Sequence, residues 1–153
     1  MQWSNARTSC HRLDAELAVV SDGDSLQALA QLRKEIKLED EDLFVGLSGN
    51  ELRWLWVDGE NVSNTDGLWG PYEPSGDGRC GSFTKARSNP NWDGYGWRWN
   101  DVPCALLSGY ICEQPLGIYV TLSVGKPFFS SLFMLTLHYH YFKTTIFSFT
   151  VKL

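Results

Sequence analysis

Two clusters of oxygen-bearing side chains carry whatever chemistry this chain has. One is Glu73-Pro74-Ser75. The other is Asn100-Asp101, inside the stretch WRWNDVPC that runs from Trp97 to Cys104. Carboxylate, hydroxyl and amide oxygens are hard donors, suited to Ca2+ rather than to zinc or copper. Either cluster alone reads as an ordinary turn. The two can act together only if the chain between them doubles back. A bond between Cys80 and Cys104, each a few residues downstream of one cluster, would enforce that return and contribute roughly 3 kcal/mol through the lost freedom of the unfolded loop. A cis bond before Pro74, which costs only about 0.5–1 kcal/mol, would let the flanking side chains face one centre.

The elements that must position these residues follow from patterning. SNARTSCHRLDAELAVV opens with Ser4 as an expected helix N-cap, and LAVV reads as a short strand. SDGDSLQALAQLRKEIKLED carries Leu26, Leu29, Leu32 and Ile36 at helical spacing, with Asp22 or Asp24 at its start, and predicts a second helix. EDLFVGLSG reads as a buried strand. LRWLWVDGENV alternates Trp54 and Trp56 with other residues before a turn at Asp58-Gly59. Residues 61–98 are rich in Gly, Pro, Asn, Ser and Trp, too long for an idle loop. Trp69, Tyr72, Trp92 and Tyr95 within it argue for order, because aromatic rings need burial. GWRWND and GYICE are the closing strands, so the class is α+β.

The chain has 153 residues and a net charge of -5, enough for one cored domain without a nucleic-acid footprint. All 18 Asp and Glu lie at or before Glu113, as do all 7 Trp. A domain over residues 1–116 followed by an aromatic-rich tail over 117–153 is expected. The tail holds no acid, and Lys126-Pro127 with His138 and His140 makes it a poor membrane span, so a membrane partner is expected only if the tail is a genuine span. The 4 cysteines have no close pair, which reads as two disulfides and an extracellular or secreted protein, with three connectivities open. Asn61-Val62-Ser63 is a glycosylation sequon. No signal peptide follows Met1, so a missing N-terminus or a fragment is expected.

The ordered set WSNARTSC, LAVVSD, LFVGLSG, WLWVDG, LWGPYEPS, WRWNDVPC and GYICE resembles a C-type lectin-like domain over about residues 3–113. The resemblance implies two helices, a small antiparallel sheet and a long structured loop, with disulfides Cys10–Cys112 and Cys80–Cys104. It implies a Ca2+ site on Glu73, Ser75, Asn100 and Asp101, whose coordination shell two neighbouring sugar hydroxyls complete. Three departures stand out. Ser75 replaces an Asn or Asp, although Glu73 still leans towards mannose-type sugars. Gly78 stands where an acidic ligand is usual, with Asp77 beside it as a substitute and Arg79 arguing against a second Ca2+ site. The family's usual first strand is missing, which would leave the last strand without its partner.

Calcium-dependent carbohydrate binding is therefore expected, with glycans or glycoproteins as partners, and calcium-independent protein binding as the alternative. An enzyme is not expected: Glu73 and Asp101 are a carboxylate pair, but no nucleophile–base pattern accompanies them. Trp3, Trp54, Trp56 and Trp99 are assigned to the core, while Trp92, Tyr95 and Trp97 are the better candidates for exposure, although a loop this irregular needs aromatic packing in any case. The acidic run from Glu39 to Asp42 reads as a solvated turn.

Overall fold

The computed structural model describes residues 1–35, 42–50, 52–62, 67–85, 96–115 and 147–152. Helix α1 spans Trp3–His11 and α2 spans Gly23–Glu35. Strands β1 (Glu16–Leu17), β2 (Leu43–Asn50), β3 (Arg53–Trp56), β4 (Asn61–Val62), β5 (Cys80–Lys85), β6 (Trp97–Val102), β7 (Gly109–Pro115) and β8 (Phe147–Lys152) complete the order.

α1 begins one residue before the expected cap. Gln2 takes the N-cap position without a side-chain bond. The Trp3 N–H, the first orphan donor of the earlier start, donates to the Cys104 carbonyl at 3.0 Å, so a distant backbone group satisfies it. α2 is capped as expected: Asp22 Oδ1 accepts from the Ser25 N–H at 2.6 Å, and Ser25 Oγ accepts from the Asp22 N–H at 3.3 Å. Leu26, Leu29 and Leu32 all point into the core from this helix. Ile36 lies outside the described residues. The first short strand is Glu16–Leu17 rather than LAVV. Ala18 continues it irregularly, donating to Ile111 and accepting from Gly46.

The sheet is mixed where an antiparallel one was expected. β2 pairs antiparallel with β3 and β5 but parallel with β7, through Leu43↔Gly109 and Phe44↔Tyr110. Nor is β7 left without partners. It carries β1 and β2 along one side, and β8, from the tail, pairs with it antiparallel from Tyr110↔Lys152 to Pro115↔Phe147. The Asp58-Gly59 turn is present: the Gly59 N–H donates to Trp56 and the Trp56 N–H to Glu60, which returns the chain into β4.

Two disulfides are formed, Cys10–Cys112 with Cα atoms 5.5 Å apart and Cys80–Cys104 at 5.1 Å. The first ties α1 to β7. The second ties the start of β5 to the turn beyond β6. The main core packs α2 against β2, β3, β5 and β6 through Leu29, Leu43, Val45, Leu47, Trp54 and Trp99. Trp54, Trp56, Trp69 and Trp99 meet edge to face at ring-centroid distances of 5.1–5.6 Å, the favoured arrangement for aromatic quadrupoles. Trp3 is half-buried and donates through Nε1 to Val45 at 2.9 Å. Trp97 is not an exposed aromatic: it is buried, stacked on Phe83, and covered by the Arg33 guanidinium 3.7 Å from its ring. Strand alternation sends Trp97 and Trp99 to the same core face, which overrides the irregularity of the loop before them. Trp92 and Tyr95 lie outside the described residues.

Candidate functional site

β5 and β6 build the site. Their antiparallel register runs from Cys80↔Val102 to Lys85↔Trp97 and sets Asn100 opposite Ser82 and Asp101 opposite Gly81. Asp101 belongs to the inward face of β6 and is fully buried, whereas Asn100 faces the other way and is half-buried. A buried carboxylate requires compensation, and the returning loop supplies it. Asp101 Oδ1 accepts from the Ser75 N–H at 2.7 Å and from Ser75 Oγ at 3.2 Å. Asp101 Oδ2 accepts from the Gly76 N–H at 2.9 Å and from the Gly78 N–H at 3.2 Å. The two oxygen clusters therefore meet through this one side chain.

The Glu73-Pro74 peptide bond is cis. Glu73 folds back so that its Oε2 accepts from the Ser75 N–H at 2.9 Å, the same N–H that donates to Asp101 Oδ1, which brings the two carboxyl groups together. Burial, followed by the hydrogen bond and charge of Asp101, pushes the Glu73 carboxyl up to about 7, with the bonds from Ser75 opposing the rise. Burial also disfavours charge on Asp101. The Glu73 hydrogen bond and the donors of Ser75, Gly78 and Gly76 outweigh it and hold that carboxyl below its usual range. The pair thus divides its titration: Asp101 keeps the charge and Glu73 keeps the proton up to near neutrality. Among the described residues no basic side chain forms an ion pair with either; the ion pairs join Arg7 and His11 to Glu16.

Glu73, Ser75 and Asp101 are brought together, and Asn100 precedes Asp101 on the same strand. Asp77 does not complete a third acidic corner. Among the described residues no three of His, Cys, Asp and Glu cluster in a metal-competent group. Asp77 is exposed and lines a cleft of about 380 Å3 with Asn50, Leu52, Gly76, Gly78 and Arg79.

The donor set suits a hard divalent cation in kind. Two carboxylates, a hydroxyl and an amide are oxygen ligands, and two adjacent acids without a counter-charge favour a cation between them. Glu73 and Asn100 would hold it most directly. All four lone-pair positions of Asp101 already face donors of the loop, so its share requires one of them, most readily Ser75 Oγ, to yield.

Gly78 takes on a different meaning in three dimensions. A Cβ there would lie 2.0–2.4 Å from the backbone of Val102. The absent side chain is what lets the loop lie against β6, with the Gly78 N–H reaching Asp101 and the Arg79 N–H reaching the Val102 carbonyl at 3.2 Å. The sequence reading counted Gly78 as a lost ligand and missed this role. The signal was available in SGDGRC, where two glycines flank Asp77 just before a cysteine.

Comparison with known proteins agrees with this architecture. The family model for the lectin C-type domain matches residues 1–114. The mouse CD209 antigen-like protein C is 31% identical over 117 residues, covering 73% of this chain and 57% of that protein. Human C-type lectin domain family 4 member A is 29% identical over 114 residues, covering 73% of this chain and 45% of that protein. The chain thus spans about half the length of these curated relatives. Among solved structures, TC14, a C-type lectin from the tunicate Polyandrocarpa misakiensis, superposes with a TM-score of 0.60 at 26% identity, covering 76% of this chain and 92% of that one. Human lithostathine superposes with a TM-score of 0.57 at 28% identity, covering 72% and 82%. With its α+β fold, its two disulfides and its Glu-Pro and Trp-Asn-Asp elements drawn together, the chain belongs to the C-type lectin domain family.

Proposed function

We propose that this domain binds carbohydrate in a calcium-dependent manner, with mannose-type sugars favoured. The observation that carries the reading is the convergence of the Glu73 and Asp101 carboxyl groups on one donor, the Ser75 N–H, with no ion-pair partner for either among the described residues. Holding two acids together is costly unless a proton or a cation joins them. Ca2+ would supply the charge and open coordination positions for two neighbouring hydroxyls of a sugar. Glu73, Ser75, Asn100 and Asp101 are the proposed ligands, and the same oxygens would accept hydrogen bonds from those hydroxyls. Asp77 enters only as an auxiliary acid at the neighbouring cleft. The lean towards mannose rests on Glu73 preceding Pro74. The partners would be glycans or glycoproteins outside the cytosol, where both disulfides are stable.

The alternative is calcium-independent binding of a protein. It draws on the saturation of Asp101, whose four accepted bonds hold the loop without metal. Thermal unfolding in millimolar Ca2+ and in EDTA separates the two. A ligand confined to the native state adds about 2.7 kcal/mol at a hundredfold excess over Kd, so calcium binding appears as a clear rise in Tm. Retention on immobilised mannose that EDTA abolishes completes the case. A cooperative melt indifferent to Ca2+ moves the assignment to the protein-binding reading.

A further inference from the structure

Tyr72 departs from the expectation that its ring is buried. It is 80% exposed and has φ 68°, in the left-handed region. That backbone region is sterically unfavourable for a bulky side chain and belongs by default to glycine. The position explains the angle. The Glu73 N–H donates to the Gly70 carbonyl at 3.0 Å, closing a turn with Pro71 second and Tyr72 third. A type II turn requires positive φ at its third residue, and glycine or asparagine usually fills it. This chain places a phenol ring there, gains no burial from it, and does so one residue before Glu73.

A solvent-facing aromatic held in an unfavourable conformation beside a binding site needs a reason outside folding. The other aromatics of the loop that the structure describes do not share the feature. Trp69 and Trp97 are buried. Aromatic faces match the C–H face of a pyranose, an apolar patch on an otherwise polar ligand, and two side-chain torsions make the ring inexpensive to order. Pro71 on one side and the Glu73-Pro74 bond on the other limit the backbone freedom of the turn.

We propose that Tyr72 is a stacking platform beside the Glu73–Asp101 site, receiving the C–H face of a pyranose. The ring so held is either the one whose hydroxyls meet Glu73 or its neighbour in an oligosaccharide. This inference rests on the carbohydrate-binding reading and adds to it a residue that sets specificity without touching metal.

The test compares wild type with Tyr72→Asn and Tyr72→Trp on immobilised mannose and on a mannose-terminated oligosaccharide, in millimolar Ca2+, with melting curves for all three. Asparagine tolerates the left-handed turn but offers no ring face, and tryptophan restores a face. Tyr72→Asn is expected to match or exceed the wild-type Tm and to keep the Ca2+-induced rise in Tm while sugar affinity falls by about five- to tenfold, the size of one aromatic contact. Tyr72→Trp should retain affinity. EDTA-sensitive sugar binding by wild type that Tyr72→Asn leaves unchanged overturns the stacking role and spares the site. A Tyr72→Asn protein with lowered Tm assigns the ring to folding and likewise overturns the proposal. Wild type that binds neither probe removes the carbohydrate reading, and the platform with it.

Discussion

Asp101 is both a candidate ligand and the loop's main anchor. Its removal therefore does not report metal binding alone. Asp101→Ala would leave the N–H groups of Gly76 and Gly78 without their acceptor and the Ser75 N–H with Glu73 alone, and an unsatisfied donor costs about 1–3 kcal/mol. We expect this variant to lose roughly 3 kcal/mol of stability even in EDTA, read by urea unfolding. An equal Tm for Asp101→Ala and wild type in EDTA would refute the anchoring role. Glu73→Gln is the cleaner probe of the cation, and it also isolates a pH effect. The Glu73 carboxyl is raised to about 7 in the native state from an ordinary value of 4.5. The native protein thus binds more protons than the unfolded chain between those values, and the associated stability is complete below about 4.5 and lost as pH rises through about 7. In EDTA, wild type should lose stability relative to Glu73→Gln across that window. In Ca2+ the trend should reverse, because the metal displaces the proton. Parallel pH profiles for the two proteins would contradict the carboxyl pair. Gly78→Asp restores the acid usual at that place in the family, yet it should not improve calcium binding. Its Cβ would collide with the Val102 backbone, and overpacking of this kind costs about 1–3 kcal/mol. A Gly78→Asp protein with higher calcium affinity and unchanged stability would show that the loop relaxes freely.

Among the elements, α2 and the β5–β6 pair differ in how much of them the sequence discloses. Leu26, Leu29 and Leu32 recur at helical spacing behind an Asp22 cap, and all of it appears in the fold. Asp22→Ala should cost about 1 kcal/mol, read from the urea midpoint. The WRWND strand is legible as an element, but its inward face was read only in part: alternation sends Trp97 to the core with Trp99. The start of α1 lies two residues before the expected one, its cap at Gln2 instead of Ser4, and a tertiary contact, the Cys104 carbonyl, accepts from the first N–H of that earlier turn, Trp3. Arg33 escaped notice for a similar reason. Its cation is fully buried, over the Trp97 ring and against the Phe83 carbonyl, and only packing makes such a place for a charge on a helix.

At the scale of the whole molecule, two disulfides and the central β7 hold the ends of the domain together. Cys10–Cys112 joins residues 102 apart in the chain and fixes α1 to β7. β8 brings the tail to the free side of the same strand. We propose that residues 1–116 nonetheless form the folding unit, since both disulfides close within them. A chain ending at residue 116 should keep a cooperative melt, while hydrogen exchange quickens at the β7 amides that face β8. Failure of that shorter chain to fold would make the tail part of the domain.

Residue types, their order and their periodicity determined the fold class, the second helix, the closing strands and the short list of oxygen donors. These follow from local patterns, and four widely spaced cysteines with two acid-bearing motifs leave few alternatives. Only the tertiary structure decided what those residues do to one another. The loop's return converts Asp101 from a free ligand into an acceptor for the N–H groups of Ser75, Gly76 and Gly78, raises the Glu73 carboxyl, and turns Gly78 from a missing acid into a point of contact. It also leaves Tyr72 in the open while burying Trp97. Burial, lone-pair occupancy and close approach are properties of pairs of residues far apart in the chain, and local sequence does not encode them.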